Sequence, residues 1–130
     1  MIALDSSALV AVALDELESK EFQKAISKNR CYVGWPTLLE TYFVLYQRVD
    51  PAFAGHFLRA TSRPNFASVP FDEPLFEIAR AAFDRFGRGH HPAKLNFGDC
   101  MSYAVAKFHD VPLLFKGGDF RLTDIRAALP

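Results

Sequence analysis

The sequence predicts an α/β sandwich built on a short, mostly parallel sheet, in a single domain spanning residues 1–130. Three observations point to it. Four brief apolar runs, too short to be helices, alternate with longer segments whose apolar residues recur at helical spacing. Strands alternating with helices are joined by right-handed crossovers, which makes neighbouring strands parallel. A chain of 130 residues, 50% of them hydrophobic, can fill one core without disulfide or metal staples, and no linker, repeat or low-complexity tract divides it.

The elements follow in order. Ile2-Ala3-Leu4 is a short buried strand that stops at Asp5-Ser6-Ser7, and Ala8 to Leu14 continues as a helix. Residues 15–29 are charged and helical in period, with Leu17, Phe22, Ala25 and Ile26 as the expected inward face. Cys31-Tyr32-Val33 is a second strand. Proline in the first turn then starts a helix over 36–49 that carries Leu38, Leu39, Tyr42, Phe43, Leu45 and Tyr46. Asp50-Pro51 breaks it and begins another over 51–61. Residues 67–71 suggest a third strand, which Pro70 makes peripheral. Asp72-Glu73-Pro74 opens a helix that runs to Phe86, a loop over 87–92 leads to a helix from about Asn96 to Phe108, and Val111 to Phe115 is the fourth strand, followed by Gly117-Gly118.

Composition excludes several function classes. Lys plus Arg and Asp plus Glu number 15 each, so the chain has no whole-domain basic field, and any nucleic-acid site must be local. Cys31 and Cys100 are 69 residues apart with no zinc-type spacing, which suggests buried reduced thiols in a cytoplasmic setting. The first residues lack the positive leading region of a signal peptide, and no apolar run is long enough for a membrane span.

Four acids sit where stability alone disfavours them. Asp5 ends a buried strand, Glu40 lies on an apolar helix, Asp99 occupies the first turn of another, and Asp119 follows the fourth strand after two glycines. Asp5 and Asp119 would both project beyond the carboxyl ends of strands, where parallel α/β sheets place their ligand sites. Clustered carboxylates repel and need a cation or a shared proton, and Mg²⁺ is the hard, oxygen-seeking ion that suits them. Taken singly, most have a plainer account: Asp99 with Asn96 as a helix cap, Asp5 as a cap of the first helix, Asp119 as a turn residue. Glu40 resists one, because glutamate is rarely buried without a partner.

These residues resemble the PIN-domain ribonucleases, and within them the VapC toxins of bacterial toxin-antitoxin pairs. The stretches that resemble the family are Ile2-Ala3-Leu4-Asp5-Ser6-Ser7-Ala8-Leu9, Thr37-Leu38-Leu39-Glu40, residues 85–100 with Leu95-Asn96-Phe97-Gly98-Asp99-Cys100, residues 112–120 with Phe115-Lys116-Gly117-Gly118-Asp119-Phe120, and Thr123-Asp124-Ile125. The resemblance implies a PIN-like three-layer α/β/α fold and an acidic pocket for Mg²⁺ or Mn²⁺. Asp5 and Asp99 would be the primary ligands, Glu40 and Asp119 would complete the set, Ser7 would add a hydroxyl, and Asn96 would orient the helix start. All the acidic positions of the family are filled. The implied reaction is metal-assisted hydrolysis of RNA phosphodiester bonds.

Arg85, Arg88, Lys94, Lys116 and Arg121 lie close in sequence to Asp99 or Asp119 and are candidates for a basic rim that holds single-stranded or looped RNA. His90 and His91 read as exposed loop residues, and Asp124 as rim or turn. Tyr42, Phe43, Tyr46, Phe53 and Phe57 exceed what one core face needs and suggest a partner groove. The resemblance implies two partners: a second copy in a homodimer, and a VapB-type antitoxin whose basic side chain would reach the carboxylates. Two competing readings are a catalytically silent binding module of the same fold and a phosphotransfer receiver domain. The latter lacks an acidic pair at Asp5-Ser6-Ser7 and an acceptor at Val69-Pro70-Phe71.

Overall fold

The structure is a computed structural model and describes all residues, 1–130. Its elements are β1 (Ile2–Leu4), α1 (Ser6–Ala13), α2 (Ser19–Ser27), β2 (Cys31–Gly34), α3 (Trp35–Arg48), α4 (Pro51–Ala60), β3 (Phe66–Val69), α5 (Glu73–Phe86), α6 (Phe97–His109) and β4 (Leu113–Leu114), followed by a 3₁₀ turn at Asp119–Leu122. The strands pair in the order β3-β2-β1-β4, all parallel.

Side chains alternate across this sheet as strand geometry requires. Ala3 and Leu113 face a core shared with α5 and α6, whereas Ile2, Leu4 and Leu114 face a second core shared with α1, α2 and the start of α3. Helices thus cover both faces, giving the three-layer α/β/α sandwich. The chain steps outward from β1 to β2 and β3, then returns to place β4 on the other side of β1. That reversal makes the gap between the carboxyl ends of β1 and β4 the topological switch point.

The sheet is fully parallel, and β3 is an edge strand ended at Pro70, as expected. Three boundaries differ from expectation. The helical period over 15–29 is broken: Asp15 takes a left-handed conformation with φ of 52°, α2 begins only at Ser19, and Leu17 points wholly into solvent rather than inward. The third strand covers Phe66–Val69 rather than 67–71. The fourth shrinks to Leu113–Leu114, because the Val111 amide still donates to Ala106 at the end of α6 and Pro112 has no amide to give.

Candidate active site

Asp5 follows β1 directly, its amide donating to the Leu114 carbonyl, which sets it at the switch point. It is 4% exposed. Ser7 donates to its Oδ2 through both the backbone amide (3.1 Å) and the hydroxyl (2.5 Å), and Ser102 Oγ donates to Oδ1 at 2.6 Å. Asp5 therefore does cap α1, as a stability account has it, and is also buried among hydroxyls.

Asp99 likewise has two roles. Asn96 Oδ1 accepts from the Asp99 amide (2.9 Å) and Asp99 Oδ2 accepts from the Asn96 amide (3.0 Å), a complete capping box at the start of α6. Burial pushes the Asp99 carboxyl up to about 6; the Asn96 amide opposes the rise, and the charges of Asp5, Glu40 and Asp119 add to it. One residue thus senses the other three acids.

Glu40, on α3, is partly buried, and burial raises its carboxyl, with Ser6 opposing and the charge of Asp5 adding. Its carboxylate lies against the backbone of Gly98, where an added Cβ would collide with both oxygens. Asp119 opens the 3₁₀ turn and is exposed. The two glycines before it let the chain turn out of β4, Gly117 with φ of 96°. Phe120, packed on Phe115, pins the turn to the core.

The four acids named by the sequence therefore gather around one end of the sheet, and no lysine or arginine pairs with any of them. No group of three or more His, Cys, Asp or Glu side chains is arranged to hold a metal ion as it stands. Asp5, Glu40 and Asp119 lie close enough for their charges to raise the Asp99 carboxyl, but the four are not drawn together. Carboxylates this near one another repel, and a cation between them would relieve that repulsion. The donor chemistry fits a hard ion: all four donors are carboxylates, and burial pushes both thiols up to about 11, which keeps them protonated.

The chain and its fold match known proteins. The family model described as "PIN domain" matches residues 2–126. The chain belongs to the PIN-domain family. Among its relatives, "Ribonuclease VapC" of Mycolicibacterium smegmatis is 38% identical over 97% of this chain and 98% of that protein. "Ribonuclease VapC30" of Mycobacterium tuberculosis is 37% identical over 99% of this chain and 100% of that protein. Among solved structures, Mycobacterium tuberculosis VapC20, described as a sarcin-ricin loop cleaving toxin, superposes with a TM-score of 0.81 at 17% identity, covering 96% of each chain. VapBC2 from Rickettsia felis, bound to a DNA fragment from its promoter, superposes with a TM-score of 0.72 at 13% identity, covering 98% of this chain and 97% of that one. These two structures speak for the PIN fold.

The five candidate basic residues of this PIN domain separate into two groups. Arg85 pairs with Asp124 at 3.5 Å and stacks on Phe86, Lys116 pairs with Glu16 (3.0 Å) and Glu18 (3.6 Å), and Arg121 reaches the Leu129 and Pro130 carbonyls. Arg88 and Lys94 are exposed and make no ion pair, and they stand on the loop that leads into α6. Asp124 is a brace rather than a rim residue: Oδ1 accepts from the Tyr103 hydroxyl (2.8 Å) and Oδ2 pairs with Lys107 (2.7 Å). Burial would raise it, but Lys107 and Tyr103 hold it below the usual carboxylate range.

The histidines close the end of α5. His90 Nε2 lies 2.7 Å from the Phe83 carbonyl, and His91, half-buried against the Phe86 edge, accepts from the Ala93 amide at 3.0 Å. Of the five aromatics expected to form one groove, Phe43 and Phe57 line separate cavities. Phe43 lines a cavity of about 420 Å³ with Leu39, Phe97 and Met101, whereas Phe57 lines another of about 200 Å³ with Leu9, Ile26 and Phe66. Sequence reasoning missed Ser102 and Ser6. The signal for Ser102 was a lone serine in the largely apolar run from Cys100 to Ala106, three residues beyond Asp99.

Proposed function

We propose that this PIN domain is a divalent-metal-dependent endoribonuclease, the toxin of a VapBC-type pair, working in the cytoplasm. The observation that supports it most is the group of four carboxylates, one buried and two with raised pKa values, at the sheet's switch point with no basic partner. Perturbed carboxylates cluster at functional sites, and a cation offsets the repulsion among them. The VapC relatives, named as ribonucleases, supply the substrate class.

Asp5 and Asp99 would hold Mg²⁺ or Mn²⁺, with Glu40 and Asp119 completing the set directly or through water. When bound, the ion would supply charge neutralisation at the phosphodiester and would lower the pKa of a water so that its conjugate base is available as nucleophile at neutral pH. The chain's own residues do the rest. Ser7 holds Asp5 still through its amide and hydroxyl, Asn96 orients the start of α6 that carries Asp99, and Arg88 and Lys94 bind flanking phosphates of looped or single-stranded RNA. A VapB-type antitoxin would inhibit by placing a lysine or arginine among the carboxylates. A second copy would cover the exposed side chains of Leu39, Phe43, Phe76 and Phe97. The receiver and silent-module readings are not favoured.

Expression in a bacterial host tests the toxin reading. Growth should arrest, and co-expression of the neighbouring antitoxin gene should relieve it. Arrest that persists with Asp99→Ala would contradict it.

A further inference from the structure

We infer that Ser102 and Thr37 are positioning residues for the acidic site, parts of one hydrogen-bond chain that ties together the four segments carrying the four carboxylates. The inference rests on the metal-site reading above and assigns work to residues outside it.

From the α3 side, Thr37 Oγ1 lies 3.3 Å from Ser102 Oγ, which lies 2.6 Å from Asp5 Oδ1. The serine has one hydroxyl proton, and the carboxylate can only accept it. Thr37 is therefore the donor to Ser102, and Ser102 the donor to Asp5. From the β4 side, the Lys116 amide donates to Ser7 Oγ (3.0 Å), and Ser7 donates its own proton to Asp5 Oδ2 (2.5 Å). Donation thus runs toward Asp5 from both directions, and both of its oxygens are held.

The spacing gives the chain its consequence. Thr37 lies three residues before Glu40, Ser102 three after Asp99, and Lys116 three before Asp119. On α3 and α6, positions three apart share a face one turn along. The links on α3 and α6 therefore hold the helical turns that carry Glu40 and Asp99, the Lys116 amide fixes the chain just before the glycines that lead to Asp119, and Asp5 is the hub. Thr37 and Ser102 are each 1% exposed, so neither hydroxyl serves the surface, and a buried hydroxyl is costly unless it is bonded. Alanine and valine would fill those places at lower cost if packing were all that mattered.

The test is Mn²⁺ affinity of the full chain, read from free Mn²⁺ by electron paramagnetic resonance, with thermal melting in chelator as the check on folding. Outer residues that orient metal ligands typically alter affinity by about 10–100-fold, so Ser102→Ala should bind Mn²⁺ about tenfold more weakly and Ser102→Thr should restore it. Thr37→Val keeps both direct donors to Asp5 and is the variant to read if Ser102→Ala fails to fold; it should weaken binding about threefold, a smaller share of the same effect. Asp99→Asn should abolish binding. Wild-type affinity in folded Ser102→Ala and Thr37→Val, with Asp99→Asn silent, would overturn the positioning role. Wild-type affinity in Asp99→Asn would overturn the metal-site reading instead.

Discussion

The carboxylate of Glu40, on α3, rests on the backbone of Gly98, in the first turn of α6. Two helices far apart in sequence meet there through the Glu40 side chain alone, one residue before Asp99. A glycine is required for room, not for an unusual backbone angle.

Gly98→Ala should therefore separate stability from function. The atoms in the way are the end of a flexible side chain, so Glu40 would swing aside, and alanine gains about 1 kcal/mol of helix propensity over glycine. The melting temperature should hold or rise. RNA cleavage should fall tenfold or more, by the general scale on which misplaced catalytic groups cost rate. Parallel melting and cleavage assays check it, and unchanged cleavage would remove Glu40 from the active set.

A second prediction concerns pH. Asp99 titrates at about 6 in the folded chain against an ordinary 3.8. Its pKa is raised, so the stability it contributes is fully present below about 4 and is lost as pH rises through 6. Without metal, the chain should melt at higher temperature at pH 5 than at pH 7.5, and Asp99→Asn should flatten that difference. Mn²⁺ affinity should run the other way, falling about tenfold per unit below pH 6, because the ion must displace one proton. A melting profile that Asp99→Asn leaves unaltered would contradict the assignment.

Arg88 and Lys94 should contact RNA phosphates, whereas Arg85 and Arg121 are engaged within the chain. Alanine at Arg88 or Lys94 should weaken RNA binding evenly across sequences and reduce the salt slope by about one each. Alanine at Arg85 or Arg121 should do neither. Binding to a looped RNA at several salt concentrations, using Asp99→Ala to prevent cleavage, distinguishes them.

Asp124 should matter for stability and not for chemistry. Its removal leaves Lys107 and the buried Tyr103 hydroxyl without their acceptor, a loss of about 2 kcal/mol by the usual scale for charged hydrogen bonds. Urea denaturation of Asp124→Ala should show it, with cleavage at saturating Mg²⁺ kept within about threefold, on the scale that leaves transition-state contacts intact.

The parts of this molecule that could be read from sequence are those written locally. An apolar run ending at Asp5, a capping pair at Asn96 and Asp99, and a double glycine before Asp119 each state their meaning within a few residues. The failures are non-local or depend on a single backbone angle. Leu17 fits a helical period, but the left-handed Asp15 ends the helix before it. The bond from Lys116 to Ser7 spans 109 residues, and that from Ser102 to Asp5 spans 97, so nothing adjacent in sequence announces either. The same holds for the basic residues: nearness in sequence to Asp99 or Asp119 could not tell that Arg85 and Lys116 have acidic partners of their own.

Cleavage of a looped RNA by the purified chain, followed across a titration of free Mg²⁺ for the wild type, Asp5→Ala and Asp99→Ala, tests the central claim most directly. The acidic-site account predicts no cleavage in chelator, recovery with Mg²⁺ or Mn²⁺, and a loss of at least about a hundredfold in either variant, the scale expected when a metal ligand is removed. Cleavage that survives chelation, or that persists at the wild-type rate in Asp99→Ala, would contradict it.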